Sequence, residues 1–510
     1  MKSGAIDYCT NRESIQTMKS TGFTYKTLTA VGVVGVLAIS LSLLNAQPPA
    51  GGGSGPGGRG GFGRGGGGGR GGGIGQPLFA ALDTDKDGSL TRAEFKATLD
   101  GWFTNWDTAK AGALTSDQLL KGLSAVFPIT ATTGGFDAWG NSTPMIPVQT
   151  EVDGMMAALP TVPGAKPARA RKVLVFAHTG AGGFVHASIP LAAKTVEALG
   201  NKGDLWSTTI SYSLADITPA NLKQYDAIFL DSTTACFLDD ADVAATTARR
   251  AAFLDFVRSG KGVVGIHAAT DSYHWDCAAQ ARQAETTPRT DAAHVLAAQF
   301  IAQGDSNGDK KISRQELAAL ADSWYDKLDT DKSGKVAQAD FGTRLTANVL
   351  PPAVRAPQAA ADAALQQWPE FNTLIGGFFK FHWSDPQLIT TKIDDPNSPL
   401  TAMFHGQEFD IHDETYTFAQ DSFSRKNVHV LTSIDYAKMS DTDKAKEKNP
   451  RTDLDYALSY IRKEGKGRVF YEGHGHSARV YAMTPMLEHI RAGIQYAIGD
   501  LKADDSPSAK

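Results

Sequence analysis

The sequence is poor in cysteine, and neither sign of charge is in large excess. Three cysteines occur among 510 residues, and Cys9 lies in or before an N-terminal apolar run, so only Cys236 and Cys277 remain in a processed chain. An oxidising compartment would permit a disulfide between them, and two unpaired thiols are the equally open alternative. The formal net charge of −5 gives no electrostatic reason to expect nucleic acid as a partner.

The N-terminal 46 residues have the pattern of a targeting segment. Lys19 and Lys26 precede the apolar run LTAVGVVGVLAISLSLL, and a small residue, Ala46, follows it. This order is typical of a signal peptide, but the run is also long enough to span a bilayer, which takes about 17–25 residues. Residues 1–46 are therefore a cleaved signal or an uncleaved membrane anchor. Either places the rest of the chain outside the cytoplasm (periplasmic, secreted or anchored), with membrane contact only if the segment stays uncleaved.

The remaining chain divides by composition and periodicity. Residues 47–76 are mostly glycine, with prolines and spaced arginines, and predict a flexible linker. From KVLVFA (172–177) to GVVGIHA (262–268), apolar strands alternate with helical segments, which indicates βαβ units and a parallel sheet. The alternation stops near residue 278 and resumes after residue 355. We predict an α/β domain in two parts, 169–277 and 356–503, with 278–355 inserted, and before it a helical segment (77–127) and a connector (128–168).

Two acidic loops in the first helical segment have the spacing of EF-hand calcium sites. DTDKDGSLTRAE (83–94) matches the full pattern. Its predicted ligands are Asp83, Asp85, Asp87, the Ser89 carbonyl, Thr91 through a water, and Glu94. DTAKAGALTSDQ (107–118) keeps the frame but has Ala109, Ala111 and Gln118 at ligand positions. We expect this second loop to keep the fold without the metal.

The inserted segment carries two further loops. DSNGDKKISRQE (305–316) offers Asp305, Asn307, Asp309, the Lys311 carbonyl, Ser313 and Glu316. Its sixth position is Lys310 instead of glycine, and a positive φ there costs about 1 kcal/mol. DTDKSGKVAQAD (329–340) offers Asp329, Asp331, Ser333, the Lys335 carbonyl and Asp340. The short final Asp favours magnesium or weaker calcium binding.

These loops predict two all-α EF-hand pairs, one N-terminal and one inserted, with calcium in three of the four loops. The eighth loop positions would pair the loops through a short strand, Leu90 with Leu114 and Ile312 with Val336. Because EF modules outside cells work at about 10⁻⁴–10⁻³ M calcium, a structural role is favoured over a sensor role.

Segments of the α/β domain together resemble the ThuA-like (trehalose-utilisation) family. In chain order they are VLVFAHTGAGGFVHASI, NLKQYDAIFLDSTT, GKGVVGIHAATDS, LIGGFFKFHW, FDIHDETYTF and GKGRVFYEGHGHS. The resemblance implies a flavodoxin-like, doubly wound and mostly parallel sheet, as in class I glutamine amidotransferases, and a role in carbohydrate metabolism. Those amidotransferases carry a nucleophilic cysteine within Gly-x-Cys-x-Gly. Here His267 stands in that place and no Ser or Cys adjoins it, so glutamine hydrolysis is not expected.

Polar residues follow the predicted strands of this domain. They are His178, His186, His267, Asp271, His382, Glu414, His474 and His476. Strand ends at one sheet edge converge on a crevice, and histidine suits acid/base work or metal binding near neutral pH. We predict catalytic roles for His267, Asp271, Glu414, His474 and His186. The histidine spacing has no metal-ligand signature, which makes zinc at this cluster the lesser alternative.

The sequence therefore predicts an exported calcium-binding protein whose ThuA-like domain acts on or binds a carbohydrate or sugar derivative. The alternative is a non-catalytic module in which calcium mediates binding or assembly. A third hypothesis is an enzyme whose crevice is gated by the inserted calcium loops, since the insertion departs from the edge of the predicted site.

Overall fold

The computed structural model describes residues 74–132, 134–273, 277, 291–350 and 368–509. The predicted signal or anchor segment (1–46) and almost all of the Gly-rich linker (47–76) lie outside these residues. Among the described helices, none combines the length and the apolar character needed to cross a bilayer.

The first described segment consists of helices and short strands around two loops. It contains α1 (Gly75–Leu82), β1 (Ser89–Thr91), α2 (Arg92–Trp106), β2 (Ala113–Thr115) and α3 (Ser116–Val126). Thr91 and Glu94 form a capping box at the start of α2, and Thr115 and Gln118 form another at the start of α3. In a capping box each side chain bonds the backbone N–H of the other residue, so both helices begin directly where their loops end.

The connector and the first part of the α/β domain follow. The connector contains β3 (Ile129–Thr130), β4 (Gly135–Phe136), β5 (Met145–Ile146) and α4 (Gln149–Ala157). The α/β part contains β6 (Lys172–Phe176), β7 (Phe184–Val185), α5 (Ile189–Asn201), β8 (Ser207–Ser211), α6 (Pro219–Leu222), β9 (Ala227–Asp231), α7 (Val243–Arg258) and β10 (Gly262–Ile266). β4 pairs with β7, so the connector lies against the α/β domain just before His186.

The inserted segment repeats the helical pattern, and the second α/β part completes the domain. The insertion contains α8 (Ala292–Gly304), β11 (Lys311–Ser313), α9 (Arg314–Leu328), β12 (Lys335–Ala337) and α10 (Gln338–Arg344). The second α/β part contains α11 (Pro369–Ile375), β13 (Phe379–Ile393), β14 (Phe409–Phe418), β15 (His429–Ile434), α12 (Asp441–Lys444), β16 (Ala457–Glu464), β17 (Gly467–Glu472), α13 (Ala478–Tyr481) and α14 (Thr484–Ile498).

In the described part of the chain, one nine-stranded sheet runs in the order β14-β13-β15-β16-β17-β10-β9-β6-β8. The strands from β17 to β8 pair in parallel, whereas those from β14 to β17 pair antiparallel. The predicted mostly parallel sheet is thus correct for one half, and the whole sheet is mixed. The physical reason is visible at β16 and β17: the two-residue connection between them is too short for a parallel crossover.

Apolar side chains cover both faces of this sheet. Successive residues of a strand point to opposite faces, so Val173 joins one buried cluster and Leu174 the other. Helices α5 and α14 complete the first cluster, and α7 and α11 complete the second. The sheet is therefore sandwiched between helices, which leaves the strand ends as the place for polar chemistry.

The four loops pair crosswise, which corrects the predicted pairing. Leu90 in β1 lies opposite Val336 in β12, and Leu114 in β2 lies opposite Ile312 in β11. All four side chains are fully buried in a single apolar core built from both segments. The two segments therefore do not form two separate EF-hand pairs. Each loop takes its strand partner from the other segment. An antiparallel contact between buried aliphatic residues is equally favourable in either combination, so the residue pattern alone does not determine the partner. We call the joined structure the four-loop module.

Cys236 and Cys277 form a disulfide, with their Cα atoms 5.7 Å apart. Of the two alternatives that the sequence leaves open, the fold contains the paired one. Cys236 follows β9 and Cys277 follows β10, so the bond joins the loops behind two neighbouring parallel strands. It fixes the chain close to the point at which the inserted segment begins.

Candidate active site

His267 lies at the carboxyl end of β10, where the chain turns with a backbone φ of 47°. Its side chain is fully buried, and its Nδ1 lies 3.1 Å from the carbonyl oxygen of Gly473. A carbonyl only accepts, so Nδ1 is the donor in this contact. One ring nitrogen thus bonds the backbone, and the other faces a group of polar side chains.

Four side chains bring one nitrogen or oxygen atom each into this small volume. His186 follows β7, Glu414 lies in β14 and His476 follows β17, and their atoms and that of His267 all lie within 4.8 Å of one another. His267 Nε2 is 3.3 Å from His476 Nδ1 and 3.6 Å from Glu414 Oε1. His476 Nδ1 is 3.4 Å from Glu414 Oε1. We call these four residues the histidine–glutamate cluster.

His186 is a buried member of the cluster, with 1 % of its surface exposed. Its ring centroid lies 4.9 Å from that of His267 and 5.3 Å from that of His476, with both pairs edge to face. Among the residues that the structure describes, none hydrogen-bonds its Nδ1. Burial first, and the neighbouring His267 next, lower the pKa of His186 well below its ordinary value. The imidazole is therefore neutral near pH 7.

Glu414 and His476 stabilise opposite charges on each other. Burial opposes ionisation of Glu414, but its contacts with His267 and His476 outweigh burial and lower the pKa of the carboxyl. Burial likewise opposes a charge on His476, and the contact with Glu414 outweighs it and raises the pKa of the imidazole. The cluster therefore contains an ionised carboxylate beside an imidazole that holds its proton more strongly than usual.

The cluster reaches solvent on the side of His382 and His476, whose side chains are 36 % and 24 % exposed. His382 Nδ1 lies 3.1 Å from Glu414 Oε2, and burial, offset in part by Glu414, lowers the pKa of this imidazole. The ring of Tyr416 lies 4.5 Å from that of His267 and 5.8 Å from that of His382. A small polar molecule can thus reach the cluster beside His382 and His476.

Asp413 fixes the loop that carries His476. This fully buried carboxylate accepts hydrogen bonds from three successive backbone N–H groups, those of Gly475 (2.8 Å), His476 (3.2 Å) and Ser477 (2.8 Å). Since Asp413 precedes Glu414 in β14, one strand supplies both a member of the cluster and the residue that positions another member. Sequence reasoning missed Asp413, although the acidic pair in FDIHDETYTF signalled it.

Two of the predicted catalytic residues are not in the cluster. His474 Nδ1 lies 2.8 Å from Glu472 Oε1, and Glu472 Oε2 lies 3.0 Å from His489 Nε2, so His474 belongs to a separate buried group. Gly475, with a φ of 136°, turns the chain between His474 and His476. Asp271 lies in the turn after β10, where its backbone N–H donates to the Ala268 carbonyl at 2.8 Å. From outside the cluster, Asp271 partly offsets the lowering of the His382 pKa that burial causes.

The first acidic loop brings three of its predicted ligands together. Asp83, Asp85 and Asp87 each bring a carboxylate oxygen within 4.8 Å of the others. Gly88, with a φ of 79°, donates its N–H to Asp83 Oδ2 at 3.1 Å and so makes the sharp turn. Glu94 is held at the loop end by the Thr91 hydroxyl at 2.7 Å. A hard cation that requires six to eight oxygens fits this set.

The second and third loops repeat the same turn. The N–H of Gly112 donates to Asp107 Oδ2 at 2.9 Å, and that of Lys310 to Asp305 Oδ2 at 2.8 Å. Lys310 adopts the predicted positive φ, at 60°. The third loop also orders its last ligand, because hydrogen bonds from the Ser313 backbone and from two serine hydroxyls lower the pKa of Glu316 to about 2. The third loop therefore repeats the turn of the first and holds Glu316 at its end.

In the fourth loop an arginine contacts two of the predicted ligands. Arg344 Nη2 lies 3.0 Å from Asp331 Oδ2 and 3.3 Å from Asp340 Oδ2. The Ser333 hydroxyl donates to the Lys335 carbonyl at 2.7 Å. Arg344 lies in α10, outside the loop pattern, so the spacing of the loop does not predict its contacts. Its charge competes with a cation for the same carboxylates.

Two family models match this chain. The sequence model of the ThuA family, described as trehalose utilisation, matches residues 172–358 and 356–497, and an EF-hand model matches residues 74–99. Similar solved structures include a ThuA-like protein from Bacteroides uniformis (15 % identity, 68 % of this chain and 98 % of that chain covered, TM-score 0.36). Another is a ThuA-like protein from Parabacteroides merdae (12 % identity, 66 % of this chain and 93 % of that chain covered, TM-score 0.33). No curated protein matches the chain.

Proposed function

Because this chain belongs to the ThuA, or trehalose-utilisation, family, we propose that it acts on a carbohydrate or sugar derivative at the histidine–glutamate cluster. The observation that carries the proposal is the convergence of His186, His267, Glu414 and His476 beside a solvent-facing rim. Sugars present hydroxyl and carbonyl oxygens, and a site with both proton donors and acceptors at short range can bind them and move their protons.

The proposal assigns different tasks to the two ends of the cluster. Buried His186 and His267 are held in fixed orientations, whereas Glu414 and His476 border the open side, where a substrate hydroxyl would arrive. A glutamine amidotransferase-like topology is part of the proposal, but its hydrolytic chemistry is not, because His267 occupies the nucleophile position. His474 and Asp271 are assigned no contact with substrate.

We also propose that the protein is exported by residues 1–46 and that calcium stabilises the four-loop module. The support is the apolar run after Lys19 and Lys26, and the converging carboxylates of the first loop within the EF-hand match. Calcium then contributes to stability instead of chemistry, since the loops and the histidine–glutamate cluster share no residue.

The test is turnover of a panel of disaccharides and keto-sugars by the full chain with saturating calcium. Glu414→Gln keeps the size of the side chain and removes its charge, and we expect activity to fall by about 100-fold or more. His412→Gln is the matched control on the same strand, because His412 is exposed and bonds the Pro386 carbonyl. It should keep full activity.

Equal loss in both variants, or no turnover of any panel member, would overturn the proposal. The second outcome would favour the non-catalytic module. Light scattering during a calcium titration would then show whether calcium changes the oligomer size.

A further inference from the structure

We propose that the histidine–glutamate cluster is a binding site for one divalent transition-metal ion, zinc by its donor set. It is the site of the proposed sugar chemistry, but the inference rests on the cluster's own geometry. The two proposals can therefore fail separately.

The spacing of the donor atoms is the first argument. In a tetrahedral zinc site with metal–ligand distances of about 2.0–2.1 Å, neighbouring ligand atoms lie about 3.3 Å apart. The separations among His267 Nε2, His476 Nδ1 and Glu414 Oε1 are 3.3, 3.4 and 3.6 Å. These three atoms are thus already arranged as one face of such a tetrahedron. His186 brings a fourth atom within 4.8 Å of all of them.

The outer contacts of the cluster are the second argument. Histidines that bind a metal usually donate the other ring N–H to a carbonyl or carboxylate, which fixes the tautomer and the ring. His267 does so through Nδ1 and the Gly473 carbonyl. The loop of His476 is fixed by Asp413. Groups outside the cluster therefore orient the ring of His267 and fix the backbone that carries His476.

An unsatisfied buried nitrogen is the third argument. His186 is 1 % exposed, and no described residue hydrogen-bonds its Nδ1. A buried polar atom without a partner costs about 1–3 kcal/mol. An imidazole kept at this cost, at the meeting point of two further imidazoles and a carboxylate, is better explained by a ligand than by the packing alone.

The donor types select the ion. Three imidazoles and one carboxylate suit zinc and its first-row neighbours, whereas calcium requires a shell of oxygens. The chain thus separates its metals: oxygen-rich loops for calcium and a nitrogen-rich cluster for zinc. A bound ion would act as a Lewis acid towards a substrate oxygen, and the exposed side of His476 is where a substrate would reach the cluster.

The experiment measures metal binding and not turnover. The full chain is stripped with a chelator, saturated with calcium so that the acidic loops are filled, and titrated with Zn²⁺ and separately with Co²⁺. We expect one zinc per chain by elemental analysis and the visible absorption of four-coordinate Co²⁺. His267→Gln, His476→Gln and Glu414→Gln should each weaken zinc binding at least tenfold, and His412→Gln should not.

The controls keep the inference falsifiable. Glu414→Gln preserves shape, so it reports on the site even if a histidine variant fails to fold, and circular dichroism checks each variant. The inference would be overturned if the calcium-saturated chain bound no zinc outside the acidic loops. It would also be overturned if the wild type and the cluster variants bound zinc with equal affinity. Zinc binding without sugar turnover would confirm the metal site and overturn the proposed function. Sugar turnover by a protein that binds no zinc would support the proposed function and overturn the metal site.

Discussion

At the scale of single residues, Asp231 ends β9 with a carboxyl group that is wholly buried. Within the described structure neither of its oxygens has a hydrogen-bond partner, and burial raises its pKa well above the ordinary value. A group whose pKa is higher in the folded state destabilises that state as pH rises above the unfolded value, near 4.

We therefore expect Asp231→Asn to stabilise the protein relative to wild type, and by more at pH 7 than at pH 4. The difference should grow by about 1.4 kcal/mol per pH unit until the folded pKa is reached. Thermal melting of both proteins across this range measures it, and comparing the pair cancels the titration of other groups. If the difference in melting temperature between wild type and Asp231→Asn does not change with pH, Asp231 is not held protonated in the folded protein.

Arg344 allows a second prediction at this scale. Because its guanidinium contacts Asp331 and Asp340, Arg344→Gln should raise the calcium affinity of the fourth loop. One charge at about 4 Å in water is worth about 1 kcal/mol, so we expect about a fivefold gain. Calorimetry in a Glu94→Gln/Glu316→Gln background isolates this loop. Arg314→Gln, which removes a pair with Asp100 outside the fourth loop, should leave the affinity unchanged.

At the scale of elements, the crosswise pairing of the short strands makes a direct prediction. Ser89 lies opposite Ala337, and antiparallel partners lie about 4.5–5.5 Å apart between Cα atoms, within the range of a disulfide. Ser89→Cys/Ala337→Cys should therefore form a disulfide on mild oxidation, detected by peptide mass spectrometry. Ser89→Cys/Thr115→Cys tests the pairing that the sequence predicts. Efficient bonding in this second variant, and not in the first, would refute the observed register.

The sequence predicts the elements better than their partners. The strands KVLVFA, YDAIFLD and GVVGIHA lie in β6, β9 and β10, because continuous apolar runs bounded by turns identify buried parallel strands. Leu90, Leu114, Ile312 and Val336 are alike in size and polarity, so no sequence rule distinguishes one pairing from another. The pairing is visible only in the folded chain, where the two segments share one core.

The same limit applies to the candidate site. His267, His186 and Glu414 could be selected because they follow or lie in recognisable strand motifs. His474 and His476 are two residues apart in EGHGHS, and selecting between them requires the backbone turn at Gly475. The contacts of a buried side chain form only when the chain folds, so the spacing of residues along the sequence does not predict them.

At the scale of the whole molecule, the shared core of the four-loop module predicts coupled behaviour. Phe79 and Phe341, from the two segments, pack edge to face at 5.3 Å, and Lys96 bonds Asp322 at 2.7 Å. Removal of calcium should therefore expose residues 74–126 and 291–350 to protease together, while the α/β sheet stays resistant. Limited proteolysis with and without chelator, read by mass spectrometry, tests this. Cleavage confined to one segment would show that they are stabilised independently.

The crosswise pairing also determines when the module can be completed during synthesis. A ribosome adds about 5–20 residues per second, so Leu90 is made roughly tens of seconds before Val336, its strand partner. During that interval the first acidic segment has an uncovered apolar face, while strands β6, β8, β9 and β10 are made. The first acidic segment is therefore made before these strands but reaches its final packing only after the inserted segment has been made.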